Sequence, residues 1–263
     1  VGSISTMISD GFLGSSKIMF FPGYLSFNSL TILLTSIVLF YTQTAPFMLI
    51  SSQMSTLFLA SSIADSGWHI AKKIKVKKAA FIFTAGEVEK DDGWLSNDRN
   101  GLNKNGIKTF DYTITGKTIK DFEHDLGNCD LIHVNGGNTY YLLLHAKKSG
   151  FDKFIKRQVN KGVIYTGSSA GSMITGSDIT ITWRPENEPY AKELSDTKGF
   201  DLVDLTIFPH WGNSHFNKIF FDYRLKNAYK DFKGNKIILL NDDQYVEVHN
   251  SAYKIVDVTK ERL

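Results

Sequence analysis

The hydrophobic pattern of the chain falls into two regimes that meet near Met54. Downstream of it, short apolar runs alternate with stretches of helical spacing. Apolar runs predict strands over residues 56–60, 78–84, 107–112, 129–134 and 163–166. Amphipathic spacing predicts helices over residues 63–73, 95–105, 119–126, 139–149 and 151–160. The run at 78–84 is continuous and ends in Ala85-Gly86, as a strand buried on both faces should. Glycines at 106, 150 and 162 stop three of the elements. After Ile174 the pattern changes to a strand over 178–183, a polar loop, a strand over 205–208, a helix over 216–230, and strands over 236–240, 245–249 and 253–258. Strands alternating with helices imply an α/β fold: a three-layer sandwich around a mainly parallel sheet.

Upstream the pattern is different. No charged residue occurs between Lys17 and Asp65, and residues 30–41 are almost wholly apolar. A membrane span needs about 20 predominantly apolar residues. Here Ser, Thr, Asn and Gln interrupt the stretch, and no positive charge immediately precedes its core as a signal peptide would require. Residues 1–53 are therefore read first as an extension outside the fold, spurious or disordered. A membrane anchor or export signal over 18–50 comes second, and an integral part of the fold last. Residues 54–263 are expected to form the functional domain, with no membrane contact of its own.

Composition narrows the function classes. Thirty basic residues against twenty-seven acidic ones give a net charge of +3, with no concentrated basic face to mark a nucleic-acid footprint. The run from Lys72 to Lys78 reads as a solvated helix end. The single cysteine, Cys129, excludes an internal disulfide and fits a reducing, cytoplasmic setting. No Cys/His cluster has zinc-ligand spacing, so neither metal nor cofactor is expected.

The candidate chemistry sits where strands end. Gly167-Ser168-Ser169-Ala170-Gly171 follows an apolar strand and opens a helix-compatible segment. A sharp strand-to-helix turn of this kind lifts a serine hydroxyl from the sheet and requires small neighbours. By itself the motif is equally compatible with a plain turn. A second such turn, Asn135-Gly136-Gly137-Asn138, also joins a strand to a helix, so Gly137 N–H could join Ala170 N–H as an oxyanion donor. Among the seven histidines, His210 ends an apolar strand directly after Pro209 and is the candidate base, with His215 second. His133 lies inside a strand and reads as buried. The orienting acid is sought in the loop Arg184-Pro185-Glu186-Asn187-Glu188-Pro189, between serine and histidine, with Asp178 a weaker candidate. An α/β-hydrolase has the same order of groups, but too little chain separates Ser169 from His210 to hold that fold's further strands and cap.

Four segments in order, Asn135-Gly-Gly-Asn-Thr-Tyr-Tyr-Leu-Leu143, Gly167-Ser-Ser-Ala-Gly-Ser172, Pro209-His210 and Leu240-Asn-Asp-Asp-Gln244, resemble the peptidase E and cyanophycinase family of serine peptidases. The resemblance runs from about Met54 to the C-terminus. It implies a class I glutamine amidotransferase-like sandwich, Ser169 as nucleophile, His210 as general base, and Gly137 and Ala170 N–H as oxyanion donors. It also implies an acid in the intervening loop, which matches Glu188 best and Glu186 next. Arg224, at the family's distance beyond His210, is implied to recognise the aspartate of Asp-Xaa dipeptides, although a surface helix arginine would look the same in sequence. The implied partner is a small peptide, with no nucleic acid; self-association stays open. Cyanophycinase-like cleavage of β-aspartyl peptides and a catalytically silent binding protein on the same scaffold are the alternatives.

Overall fold

The structure, a computed structural model, describes residues 55–91, 93–230, 234 and 236–261. The expectations for residues 1–53 lie outside the described residues.

The seven-stranded sheet has the order β3-β2-β4-β5-β1-β8-β9. Its strands are β1 (Thr56–Ala60), β2 (Lys78–Ile82), β3 (Lys108–Tyr112), β4 (Leu131–Val134), β5 (Ile164–Ser168), β8 (Gln244–His249) and β9 (Ala252–Asp257). The first five are parallel, and β8 and β9 continue the sheet antiparallel beyond β1. Strand side chains alternate between faces with period two, and each face has its own core. Leu57, Leu59, Ala80, Ile82, Ile132, Val134, Val246 and Val248 point to one side. Phe58, Ala60, Ala79, Phe81, Leu131 and Tyr245 point to the other.

Helices cover both faces because each has an apolar stripe that only a sheet or another helix can bury. On the first face lie α3 (Ile119–Asp125), α4 (Thr139–Ser149), α5 (Phe151–Asn160) and the single turn α6 (Ala170–Met173), contributing Phe122, Leu142, Leu143, Phe154 and Met173. On the second lie α1 (Ile63–Lys73) and α2 (Gly93–Asn103), contributing Ile63, Ile70, Leu95 and Leu102. This is the α/β three-layer sandwich that the alternating pattern predicts.

Two regions depart from the sequence expectation. Residues 178–183 form a 3₁₀ turn at Thr180–Thr182 instead of a strand. Asp178 explains it: its carboxylate accepts from Thr180 N at 2.6 Å and from Thr197 Oγ1 at 2.7 Å, a local capping arrangement that competes with extended backbone. Strands β6 (Leu205–Phe208) and β7 (Lys236–Leu239) do not join the main sheet but pair in parallel with each other, Phe208 opposite Leu239. After the single turn α7 (Glu188–Ala191), which precedes β6, residues 217–230 form helix α8 between β6 and β7; its middle, Phe220–Arg224, is wound as a π-helix.

A buried polar file runs under the β4 loop. His133 bonds Thr166 Oγ1 at 2.9 Å and Asn135 Oδ1 at 3.1 Å, and Asp98 of α2 is buried beside Asn135. Burial pushes the Asp98 carboxyl up to about 7, against a smaller lowering by the Asn135 amide. An acid raised on folding contributes most below its unfolded value near 4, and that contribution is lost as pH climbs to about 7. Asp98→Asn is thus expected to flatten the decline in stability between pH 5 and pH 8, by about 3 kcal/mol relative to the parent. Urea denaturation of both proteins at the two pH values measures it; parallel profiles would show that Asp98 stays ionised at little cost.

Candidate active site

The parallel neighbours β4 and β5 end side by side, so the loops that follow them meet at one edge of the sheet. Ser169, first residue after β5, has φ 49° and ψ −109°, a conformation that costs a non-glycine residue of order 1–3 kcal/mol. Surrounding bonds hold it there: Ser169 N donates to Ala60 O at 3.1 Å, Ser172 Oγ donates to the same carbonyl at 2.7 Å, and Ile63 N donates to Ser168 Oγ at 3.1 Å. Two glycines make room. A Cβ on Gly171 would lie 1.9 Å from Val134 O, and one on Gly137, at φ +124°, would lie 2.2 Å from Ala85 O. No hydrogen bond within the described residues takes the N–H of Gly137 or Ala170.

His210 arrives from the small sheet. It follows β6 with φ 65°, and its N–H donates to Ser61 Oγ at 2.7 Å. Its Nε2 lies 2.9 Å from Ser169 Oγ, and its ring stacks on Phe216 at 4.1 Å. On the other side, Nδ1 lies 2.6 Å from Asp242 Oδ1. An ionised carboxylate only accepts, so the ring proton belongs on Nδ1, which leaves Nε2 to accept from the serine hydroxyl. Asp242 Oδ1 also accepts from Ser61 Oγ at 2.9 Å, and Oδ2 accepts from Asn213 Nδ2 at 2.6 Å. Burial alone would raise this carboxyl, but His210, Asn213 and Ser61 together outweigh it and hold it down at about 2.

The carboxylate on the His210 ring is thus Asp242, and neither acidic residue of the loop between Ser169 and His210 reaches that ring. Glu188 is more than half exposed and pairs with Lys192 at 2.9 Å; Glu186 is exposed and lies 3.8 Å from Arg184. The loop is pinned by the residue between them. Asn187 is buried, accepts from Asn138 Nδ2 at 2.9 Å and donates to Thr182 O at 3.2 Å, which turns its two acidic neighbours outward. Asp178 is taken up by Thr180 and Thr197. The second-choice histidine, His215, is exposed, with its ring edge on Phe216.

Arg224 is not a surface residue. Its π-helical turn packs it inward, with Nη1 donating to Pro209 O at 3.4 Å, beside His210, and the guanidinium over the rings of Phe208 and Phe220. Its Nε is buried without a partner. Burial, and then the charge of Arg184, lower its pKa to about 10.

A strand-ending serine bonded to a histidine on an α/β sandwich is an arrangement suited to a hydrolase, and comparison with known proteins supplies the family. The model of peptidase family S51 matches residues 47–256, and the chain belongs to that family of serine peptidases. An uncharacterized peptidase of Listeria innocua is 28% identical over 73% of this chain and 96% of its own length. Peptidase E of Haemophilus influenzae is 29% identical over 53% of this chain and 58% of its own length. A crystal structure of a candidate peptidase E from Listeria monocytogenes superposes with a TM-score of 0.69 at 26% identity, covering 78% of this chain and 98% of that one. Among the described residues, no helix is long and apolar enough to cross a membrane.

Proposed function

We propose that this serine peptidase is an exopeptidase that removes an N-terminal aspartate from short peptides through Ser169, His210 and Asp242. The observation that carries the reading is the unbroken hydrogen-bonded file from Asp242 through His210 to Ser169. Ser169 Oγ attacks the scissile carbonyl as its proton passes to His210 Nε2, and Asp242 holds the ring and stabilises the imidazolium that forms. The N–H groups of Gly137 and Ala170 receive the oxyanion, and the imidazolium then protonates the leaving amine. Water then attacks the acyl carbon as its proton passes to Nε2, and the imidazolium returns that proton to Ser169 Oγ as the bond to the acyl group breaks and the acid departs.

The substrate side rests on Arg224. Among the described residues it has no carboxylate within ion-pair distance, and a buried guanidinium without a counter-charge is costly. A substrate carboxylate would supply one, with two parallel hydrogen bonds for geometry. Arg224→Met is expected to lower kcat/KM for Asp-Xaa dipeptides by about 100-fold, the scale of a lost charge-assisted contact, and to spare Ala-Xaa. Equal cleavage of Asp-Xaa and Ala-Xaa peptides by the unmodified enzyme would overturn the aspartyl reading and leave the peptidase chemistry standing.

A further inference from the structure

Arg184 comes near Arg224, and its charge, after burial, lowers the Arg224 pKa. The backbone explains the approach. Asn227, on α8 like Arg224, donates to Trp183 O at 2.9 Å, next to Arg184. Three residues further on, Asn187 is bonded to Asn138 of the Gly136-Gly137 turn. Arg184 thus hangs on a segment tied at one end to the helix of Arg224 and at the other to the turn that packs against Ser169.

Its own counter-ions are poorly fitted. Arg184 Nη2 lies 3.5 Å from Glu89 Oε1, and Nε lies 3.8 Å from Glu186 Oε2. Charge-assisted N–H···O bonds close to about 2.7–2.9 Å when the geometry is good. Elsewhere in this molecule they do: Arg99 grips Asp111 through two bonds of 2.8 and 2.9 Å. Glu89 comes from the loop after β2, where Glu89 N donates to Gly86 O and Ala85 O accepts from Asn138 N. Its carboxylate therefore reaches Arg184 from the rim of the same turn.

We infer that Arg184 is a second receptor for the substrate's acidic side chain, and that Glu89 occupies it as a loosely held internal surrogate that the substrate carboxylate displaces. The inference rests on the aspartyl reading above and extends it to a second arginine with an internal competitor. One carboxylate between the two guanidiniums relieves their mutual repulsion and the unpaired burial of Arg224 together. Substrates without an acidic side chain leave Glu89 in place and gain nothing from Arg184.

The sign of two variants tests this. Arg184→Met is expected to lower the ratio of kcat/KM for Asp-Xaa over that for Ala-Xaa about tenfold, mainly through KM for Asp-Xaa. Glu89→Gln is expected to act in the opposite direction, raising kcat/KM for Asp-Xaa about threefold by removing the competitor. A pair that merely ties two loops together would make both variants slower on both substrates, and that result overturns the inference. An unchanged Asp-to-Ala ratio in Arg184→Met, with the ratio abolished in Arg224→Met, overturns it as well while sparing the aspartyl reading. Equal cleavage of both substrates by the unmodified enzyme removes both.

Discussion

Ser169→Ala is expected to lower turnover by about 10⁴-fold or more while the protein stays folded. The substitution removes one oxygen whose only side-chain hydrogen bond among the described residues is to His210 Nε2. The turn itself is fixed by backbone and neighbouring side chains: Ser169 N on Ala60 O, Ser172 Oγ on the same carbonyl, and Gly171 pressed against Val134 O. Alanine meets the same positive φ that serine already tolerates, so the fold should not notice the change. Two measurements check it together. A fluorophosphonate probe should label the parent at Ser169 and leave the variant unlabelled, and thermal unfolding should agree within a few degrees. Undiminished peptide turnover by the variant would sink Ser169 as the nucleophile.

How much of this was legible in the sequence differs between the two halves of the site. The Ser169 turn is legible because its demands are local. A parallel strand must end, a small residue must sit at each tight contact, and the chain must enter a helix; Gly167, Gly171 and the apolar run before them carry all of that within a few positions. The central strands were legible for the same reason, since burial on both faces leaves unbroken apolar runs. The small β6–β7 sheet was not, because parallel pairing depends on partners that lie about thirty residues apart. The strand expected at 178–183 failed where Asp178 caps a turn, a side-chain bond that an apolar count does not register.

The sequence places candidate acids between serine and histidine, at Glu186 and Glu188, whereas the carboxylate that contacts His210, Asp242, comes from beyond it. The signal was present in Leu240-Asn-Asp-Asp-Gln244. The pairing of Phe208 with Leu239 places the ends of β6 and β7 together, and the ladder continues as Leu240 N donates to Phe208 O and Trp211 N donates to Leu240 O. Two parallel strands that end near a histidine and an aspartate bring those side chains to one place, as β4 and β5 do for the Gly136-Gly137 turn and Ser169.

Asp242→Asn is therefore the variant that separates the two assignments, with an expected fall in kcat of about 10³- to 10⁴-fold and little change in KM. The carboxylate collects three donors, from His210 Nδ1, Ser61 Oγ and Asn213 Nδ2. An amide has one oxygen for them and brings two N–H groups of its own. Where the amide nitrogen faces the ring, Nδ1 becomes the acceptor, the proton moves to Nε2, and the imidazole can no longer take a proton from Ser169. The negative charge that stabilises the imidazolium during attack is gone in either orientation. Because the parent carboxyl is held at about 2, it stays ionised, and its contribution to stability is present, down to about pH 4; that contribution is lost as pH falls from there towards 2. Glu188→Gln is the control: its side chain is exposed and bonded to Lys192, so kcat should change by less than about twofold. A large loss in Glu188→Gln with an active Asp242→Asn enzyme would return the acid to the loop between serine and histidine and make the His210–Asp242 contact a structural one.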